Sequence, residues 1–387
     1  LHVPDYFDLQ LLAPRRILTG VGCRAALPGL LAEDGRRRPL VVSDPRLGDS
    51  AALRDVLALL ATAAGPVPMT SDVPGEPDVH CAEAIAALLQ RGQHDCVIAI
   101  GGGSVIDAAK GAAVATTNPG HLVDYEGFDR FMVDPLPLYA LPTTAGTGSE
   151  VTRVTVLGVL DPPRKISIKG ARLVPTAALV DSDFLLTVPV RVGAAAATDA
   201  LTHALEAYLR PASSPVSRAL GLRAATMILR VMGAGAAYAT PANLADLSVA
   251  SMLAGLAFGN SDVGPVHCLA ESIGAVYHAP HGAANAVFLG PVLHYYGAVV
   301  ALPLAEVART VWPDALAGRS AGEATQVLVA AVEGFVAAND VGTLRSVCGG
   351  AMDIDRIAAL AVTNNSNASG PIPMTQADYR SIIASMG

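Results

Sequence analysis

In the first half of the chain, short β-branched apolar runs alternate with stretches whose apolar residues recur at helical spacing. Residues 39–44, Pro-Leu-Val-Val-Ser-Asp, read as a buried strand that ends in a turn. Residues 82–90 read as a helix, 96–100 as a strand and 104–115 as a helix, and 138–141 and 177–181 are again strand-like. Strand and helix in alternation predict a parallel sheet with helices on its faces. Past Leu-Thr-Val-Pro at 186–189 the strand signal fades. Residues 194–207, 217–232, 243–257 and 325–339 carry helical period instead, and 211–215 reads as a surface loop. The pattern predicts an α/β nucleotide-binding domain over 1–188 and an all-helical domain over 189–387, with no solenoid-type repeat.

Composition agrees with two cores. At 387 residues the chain exceeds the size at which a single core keeps growing, and 52% hydrophobic residues suffice to fill two. A net charge of -8 with no basic block argues against a nucleic-acid surface. Five cysteines, scattered and without a Cys-x-x-Cys pair, fit a reduced compartment. Residues 1–8 show neither the basic nor the apolar segment of a secretory leader. Apolar runs are broken before the roughly 18 residues that span a bilayer; the nearest, 289–307, is interrupted by His294 and Pro303. A soluble, cytoplasmic protein is expected.

Two loops in the first half could serve a dinucleotide. Gly101-Gly102-Gly103-Ser104 follows a strand and opens a helix, where backbone without Cβ approaches a diphosphate and the free amides of the helix start attract it. It departs from G-x-G-x-x-G, because Ile106 stands at the third glycine, and no acidic residue ends the next strand. Taken alone the junction is equally a tight turn. Asp44, ending an earlier strand, is the better partner for a ribose 2′-hydroxyl, and its charge would repel a 2′-phosphate, which predicts NAD over NADP. The second loop, 142–152, offers five hydroxyls and two glycines in eleven residues. It could hold phosphate or amide groups, or simply satisfy its own backbone.

The second half carries candidate metal ligands. Asp199 and His203 are four apart in a helical stretch, so both leave one face. His267 and His281 fall within one short segment. One carboxylate and three imidazoles suit Fe(II) or Zn(II), although each residue taken singly is an ordinary helix or turn residue.

These motifs together resemble the iron-containing (group III) alcohol dehydrogenases. The resemblance rests on Gly101–Ser104 through Asp107 to Lys110, on the 142–152 loop, on Asp199-Ala-Leu-Thr-His203-Ala-Leu-Glu206-Ala-Tyr208 and on Pro280-His281-Gly282. It spans roughly residues 12–300 in the expected order, and the tail after about Leu302 matches much less specifically. It implies the dehydroquinate synthase-like fold of that family, a catalytic cleft between the domains, and a homo-oligomer. It also implies Asp199, His203, His267 and His281 as ligands of Fe(II) or Zn(II), Asp44 at the adenosine ribose, and Gly101, Gly102, Gly103 and Ser104 at the diphosphate. Asp107, Thr143, Thr144, Thr147, Thr152 and Lys165 would complete the NAD(H) site. The implied reaction is reversible hydride transfer between NAD and a short primary alcohol or aldehyde.

One position departs from the family. Glu271 stands where many members have a histidine credited with proton relay, four residues after the other catalytic candidate, His267. Glu271 could carry protons, orient a liganding histidine, or join the ligands. Arg153 could meet an anionic aldehyde or pair with a local carboxylate, Phe258 could shape the substrate pocket, and His278 reads as a pocket or surface residue. Two rivals remain at this stage: a metal- and NAD-dependent lyase of the dehydroquinate synthase kind, and a non-catalytic NAD-binding regulator.

Overall fold

The computed structural model describes residues 10–48, 50–161 and 163–386, so the leader reading of residues 1–8 lies outside the described residues. Contacts divide the chain into two compact units: an α/β unit of residues 12–144 and 148–188, and a helical unit that takes 10–11, 145–147 and everything described from 189 on.

The α/β unit runs β1 (Arg16–Thr19), α1 (Leu27–Glu33), β2 (Pro39–Ser43), α2 (Ala51–Ala64), β3 (Met69–Thr70), α3 (Val79–Arg91), β4 (Cys96–Gly101), α4 (Gly103–Thr117), β5 (Gly127–Phe128), β6 (Leu138–Pro142), β7 (Val154–Leu160), β8 (Pro163–Lys169) and β9 (Ala177–Val180). Six strands form a parallel sheet in the order β1-β9-β6-β4-β2-β3. The central strands are buried along their length because both faces are covered. Side chains alternate between the faces. Val41, Ile98 and Tyr139 join Leu27, Leu53 and Leu60 on one side, while Val42, Ala99 and Ala140 join Ile85, Leu89 and Ala109 on the other.

The expected parallel sheet is therefore present, but the sequence reading passed over a second, three-stranded sheet in the order β5-β8-β7. Its hairpin of β7 and β8 is antiparallel and buries Leu157, Ile166 and Ile168. The carboxyl edge of the main sheet gathers three of the segments expected at the cofactor. There β2 delivers Asp44, β4 runs through Gly101 into α4, and β6 ends in the hydroxyl-rich loop. Ligands of open parallel sheets bind at this edge.

The helical unit contains α5 (Val190–Leu209), α6 (Pro215–Met232), α7 (Pro241–Gly259), α8 (Pro265–Tyr277), α9 (His281–Tyr296), α10 (Ala301–Val311), α11 (Ala321–Ala338), α12 (Leu344–Val347), α13 (Ile354–Thr363) and α14 (Gln376–Ala384). Proline at the first turn and a Ser or Thr cap start α6 and α7. Helix α5 is the axis of the unit and is buried from Ala197 to Leu209. Its close approach to α6 needs Gly221, where a Cβ would stand 2.7 Å from the Ala204 carbonyl oxygen. The expectation that no apolar run reaches membrane-spanning length needs correcting. By length and composition α7 and α11 do reach it, at mean hydropathy 1.3 and 1.2, because Ala-rich helices accumulate apolar length with few charges, Asp246 in the first and Glu323 and Glu333 in the second.

Candidate active site

Helix α5 aims three acidic or imidazole groups inward at spacings of four and three: Asp199, His203 and Glu206. Helix α8 brings His267, and the first residue of α9 is His281. One ligand atom from each of Asp199, His203, His267 and His281 lies within 4.8 Å of all the others. Asp199 Oδ1 stands 3.7 Å from His267 Nε2 and 3.5 Å from His281 Nε2. The Nε2 atoms of His203 and His267 face each other at 3.0 Å. Four donors around one ion at about 2.0–2.1 Å would be about 3.4 Å apart, so a cluster with these spacings could close on one divalent ion.

The electrostatics fit as well. Burial alone would raise the Asp199 carboxyl, but the surrounding imidazoles, His203 foremost, hold it far below the usual carboxylate range. Burial drives His203 down to about 3 despite the carboxylate beside it. His267 goes the other way: burial opposes its charge, yet Glu206 and Asp199 raise it to about 10.

The surroundings hold these donors in place. Asn285, fully buried on α9, donates from Nδ2 to Asp199 Oδ1 at 2.7 Å and stands 3.1 Å from His281 Nε2. The Phe258 ring stacks on His203 at 4.1 Å and 15°. Gly146 packs so closely on α5 that a Cβ there would meet Ala196 at 3.1 Å.

Among the three roles open to Glu271, contact with His267 falls to another residue. His267 Nδ1 donates to Glu206 Oε2 at 2.6 Å, whereas Glu271 Oε2 accepts from Asn364 Nδ2 at 2.6 Å. Helical spacing put Glu271 on the face of His267, but Glu206 approaches from a different helix. His278 is the exposed, left-handed residue that ends α8 and is not among the four clustered donors.

At the sheet edge, Gly102 caps α4 without a side-chain hydrogen bond, the kind of helix start whose first amides suit an anion. A Cβ on Gly102 would lie 3.2 Å from Thr144 Oγ1, and one on Gly101 would collide with Val105 at 2.5 Å. Thr143 is buried, and its amide donates to the Gly101 carbonyl, which ties the two loops together. Thr144 and Thr147 are half-buried, and Thr147 belongs with the helical unit.

Several residues expected at the cofactor have protein partners. The Asp107 carboxylate accepts from Ser149 Oγ and from the Val156 amide, so it braces the hydroxyl loop against β7. Thr152 is buried and receives Lys110 Nζ on both its carbonyl and its hydroxyl. Ser104 Oγ donates to the Gly75 carbonyl, and Lys165 Nζ donates to Glu76 Oε2 at 2.6 Å. Arg153 stands over the Phe128 ring, 5.0 Å from its centroid. Asp44 is not a bare carboxylate. Arg46 grips it through Nε on Oδ1 and Nη2 on Oδ2, both at 2.9 Å.

The comparisons with known proteins follow the same residues. The family model for iron-containing alcohol dehydrogenases matches 14–182, and that for the C-terminal part of the Fe-containing alcohol dehydrogenase family matches 193–387. The second match takes in the tail beyond Leu302, which the motifs did not reach. Long-chain-alcohol dehydrogenase 1 of Geobacillus thermodenitrificans is 34% identical over 362 residues, 90% of this chain and 89% of that protein. A crystal structure of a 1,3-propanediol oxidoreductase superposes with a TM-score of 0.93 at 29% identity, covering 98% of this chain and all of the other. An alcohol dehydrogenase from Oenococcus oeni gives 0.92 at 26% identity, again covering 98% and 100%.

Proposed function

The chain belongs to the iron-containing alcohol dehydrogenase family and is an oxidoreductase acting on CH–OH groups, and from that premise we propose reversible hydride exchange between NAD(H) and a primary alcohol or its aldehyde, dependent on Fe(II) or Zn(II). The observation that carries this reading is the convergence of Asp199, His203, His267 and His281 on one point. These four would hold the ion. When bound, the ion supplies the Lewis acidity that lowers the pKa of an alcohol, and the nicotinamide supplies the hydride acceptor.

The chain's own residues do the rest. Asn285 fixes the Asp199 carboxylate, and Phe258 covers one face of His203 against water. The uncapped start of α4 at Gly101–Ser104 takes the diphosphate, with Thr143 and Thr144 beside it. Asp44 serves the adenosine ribose, but only with Arg46 attached, so exclusion of a 2′-phosphate is weaker than a lone carboxylate would give. Asp107, Thr152 and Lys165 act by shaping the loop and the strands behind it. Glu271, half-buried and one helical turn from His267, would carry a proton, with Asn364 holding its Oε2. Arg153, which stands over the Phe128 ring, would be the cation to meet an anionic aldehyde.

The relatives named above act on alcohols and on 1,3-propanediol, which supports a neutral primary alcohol or diol ahead of a charged one and weighs against the lyase reading. The test is oxidation of NADH at 340 nm with a panel of neutral and anionic aldehydes, before and after chelation. Turnover that vanishes with the chelator and returns with Fe(II) or Zn(II) supports the proposal. Bound metal without net NADH oxidation for any aldehyde moves the weight to the lyase. Five free thiols agree with a reduced, cytoplasmic setting. A homo-oligomer is expected, and light scattering checks it.

A further inference from the structure

We infer that Glu206 is a positioning residue that fixes the ring tautomer of His267 and thereby sets how tightly the cluster retains its metal. The inference rests on the reading that the four converging donors hold a divalent ion.

Glu206 shares a helix with Asp199 and His203, seven and three residues after them, and is 8% exposed. Its Oε2 accepts from His267 Nδ1 at 2.6 Å and from the Gly264 amide at 2.8 Å, and its Oε1 accepts from the Val266 amide at 2.8 Å. Three donors thus lock one carboxylate. Gly264 is part of the lock, since a Cβ there would stand 3.0 Å from Oε1 and 3.2 Å from Cδ. An ionised carboxylate only accepts. The imidazole nitrogen facing it must therefore carry the proton, which leaves the Nε2 lone pair directed at Asp199 and His203. A neutral histidine in the other tautomer would present N–H at Nε2 and could not ligate there. Partners of this kind orient metal-bound histidines, and their loss typically weakens metal affinity about 10- to 100-fold.

The discriminating variant is Glu206→Gln, which keeps size and shape but offers one acceptor oxygen and an N–H₂ group. The two backbone amides compete for that oxygen. The N–H₂ then faces His267 Nδ1 and favours the tautomer that cannot bind. Titration of the metal-free proteins with Co(II) reads both affinity and the visible ligand-field spectrum. A Kd raised about 10- to 100-fold with an altered spectrum is expected, while NADH binding and the metal-free melting temperature stay near wild type. Equal Kd and an unchanged spectrum overturn the inference. Failure of the wild-type protein itself to bind Co(II) or Zn(II) overturns the metal reading instead, so the two failures are distinguishable.

If Glu206→Gln does not fold, the zinc-loaded wild-type protein decides. Long-range ¹H–¹⁵N correlation on ¹⁵N-histidine protein, with His267→Gln to assign one of nine rings, shows which nitrogen holds the proton. A proton on Nδ1 supports the inference, and a proton on Nε2 overturns it.

Discussion

The two candidate binding regions are built from opposite materials. In the helical unit the cluster is made of side chains: four donors from three helices, with Glu206 and Asn285 gripping them from behind. At the edge of the parallel sheet the loops are made largely of backbone, and side chains matter there mostly by being absent, as at Gly101 and Gly102. A metal needs particular atoms at particular distances, whereas a diphosphate needs amides and room. Loss of a side chain should therefore ruin the first region, and gain of one should ruin the second.

The largest expected effect breaks the first region alone. In His267→Ala the metal content of the purified protein should fall to near zero. Aldehyde reduction should drop by more than about a thousandfold, the scale of losing a Lewis acid worth several kcal/mol. NADH binding, followed by fluorescence, should remain. Full activity in that variant would remove His267 from the site.

Charge is not confined to the helical unit. Lys110 and Glu150 are buried inside the α/β unit, where burial lowers Lys110 to about 8 and raises Glu150 to about 7. Between the ordinary value of 4.5 and 7 the native state holds a proton on Glu150 that the unfolded chain has released. The associated stability is fully present below about pH 4.5 and is lost as pH rises through 7. Glu150→Gln should remove that decline, which amounts to roughly 3 kcal/mol. Urea unfolding of both proteins at pH 5 and pH 7.5 measures it, and parallel slopes would place no titrating group there.

Gly102→Val puts a side chain where Thr144 already stands. NADH should bind about tenfold or more weakly, some 1.4 kcal/mol, with metal content untouched. The smallest effect concerns the ribose corner. Removing the guanidinium in Arg46→Ala should sharpen the preference for NAD over NADP by about threefold, in keeping with the modest worth of an exposed ion pair. Asp44→Gly should relax the preference. The ratio of kcat/KM values for the two cofactors reads both, and unchanged ratios would put the adenosine ribose elsewhere.

Local pattern made much of this legible in advance. The strands at 39–44, 96–100 and 138–141 and the helix at 194–207 follow from apolar period alone, and Asp199 and His203 share a face by spacing. Partners distant in sequence were not legible. Glu206 meets His267 across 61 positions and Asn285 meets Asp199 across 86, so neither pairing has a local signal. The hairpin of β7 and β8 did have one, the alternation of buried Leu157, Ile166 and Ile168 with their more exposed neighbours. The strand assignments at 138–141 and 177–181 pass over it. Asp44 was read without Arg46, two residues on, because a turn decides whether such a pair can close.

The most direct test of the four-donor cluster is metal stoichiometry by mass spectrometry on the purified protein, with Asp199→Ala beside it. One Fe or Zn per chain in the wild-type protein, absent from the variant while both still bind NADH, is the expected result. A wild-type chain that holds no metal after reloading with Fe(II) or Zn(II), or an Asp199→Ala chain that still holds one, would contradict the assignment.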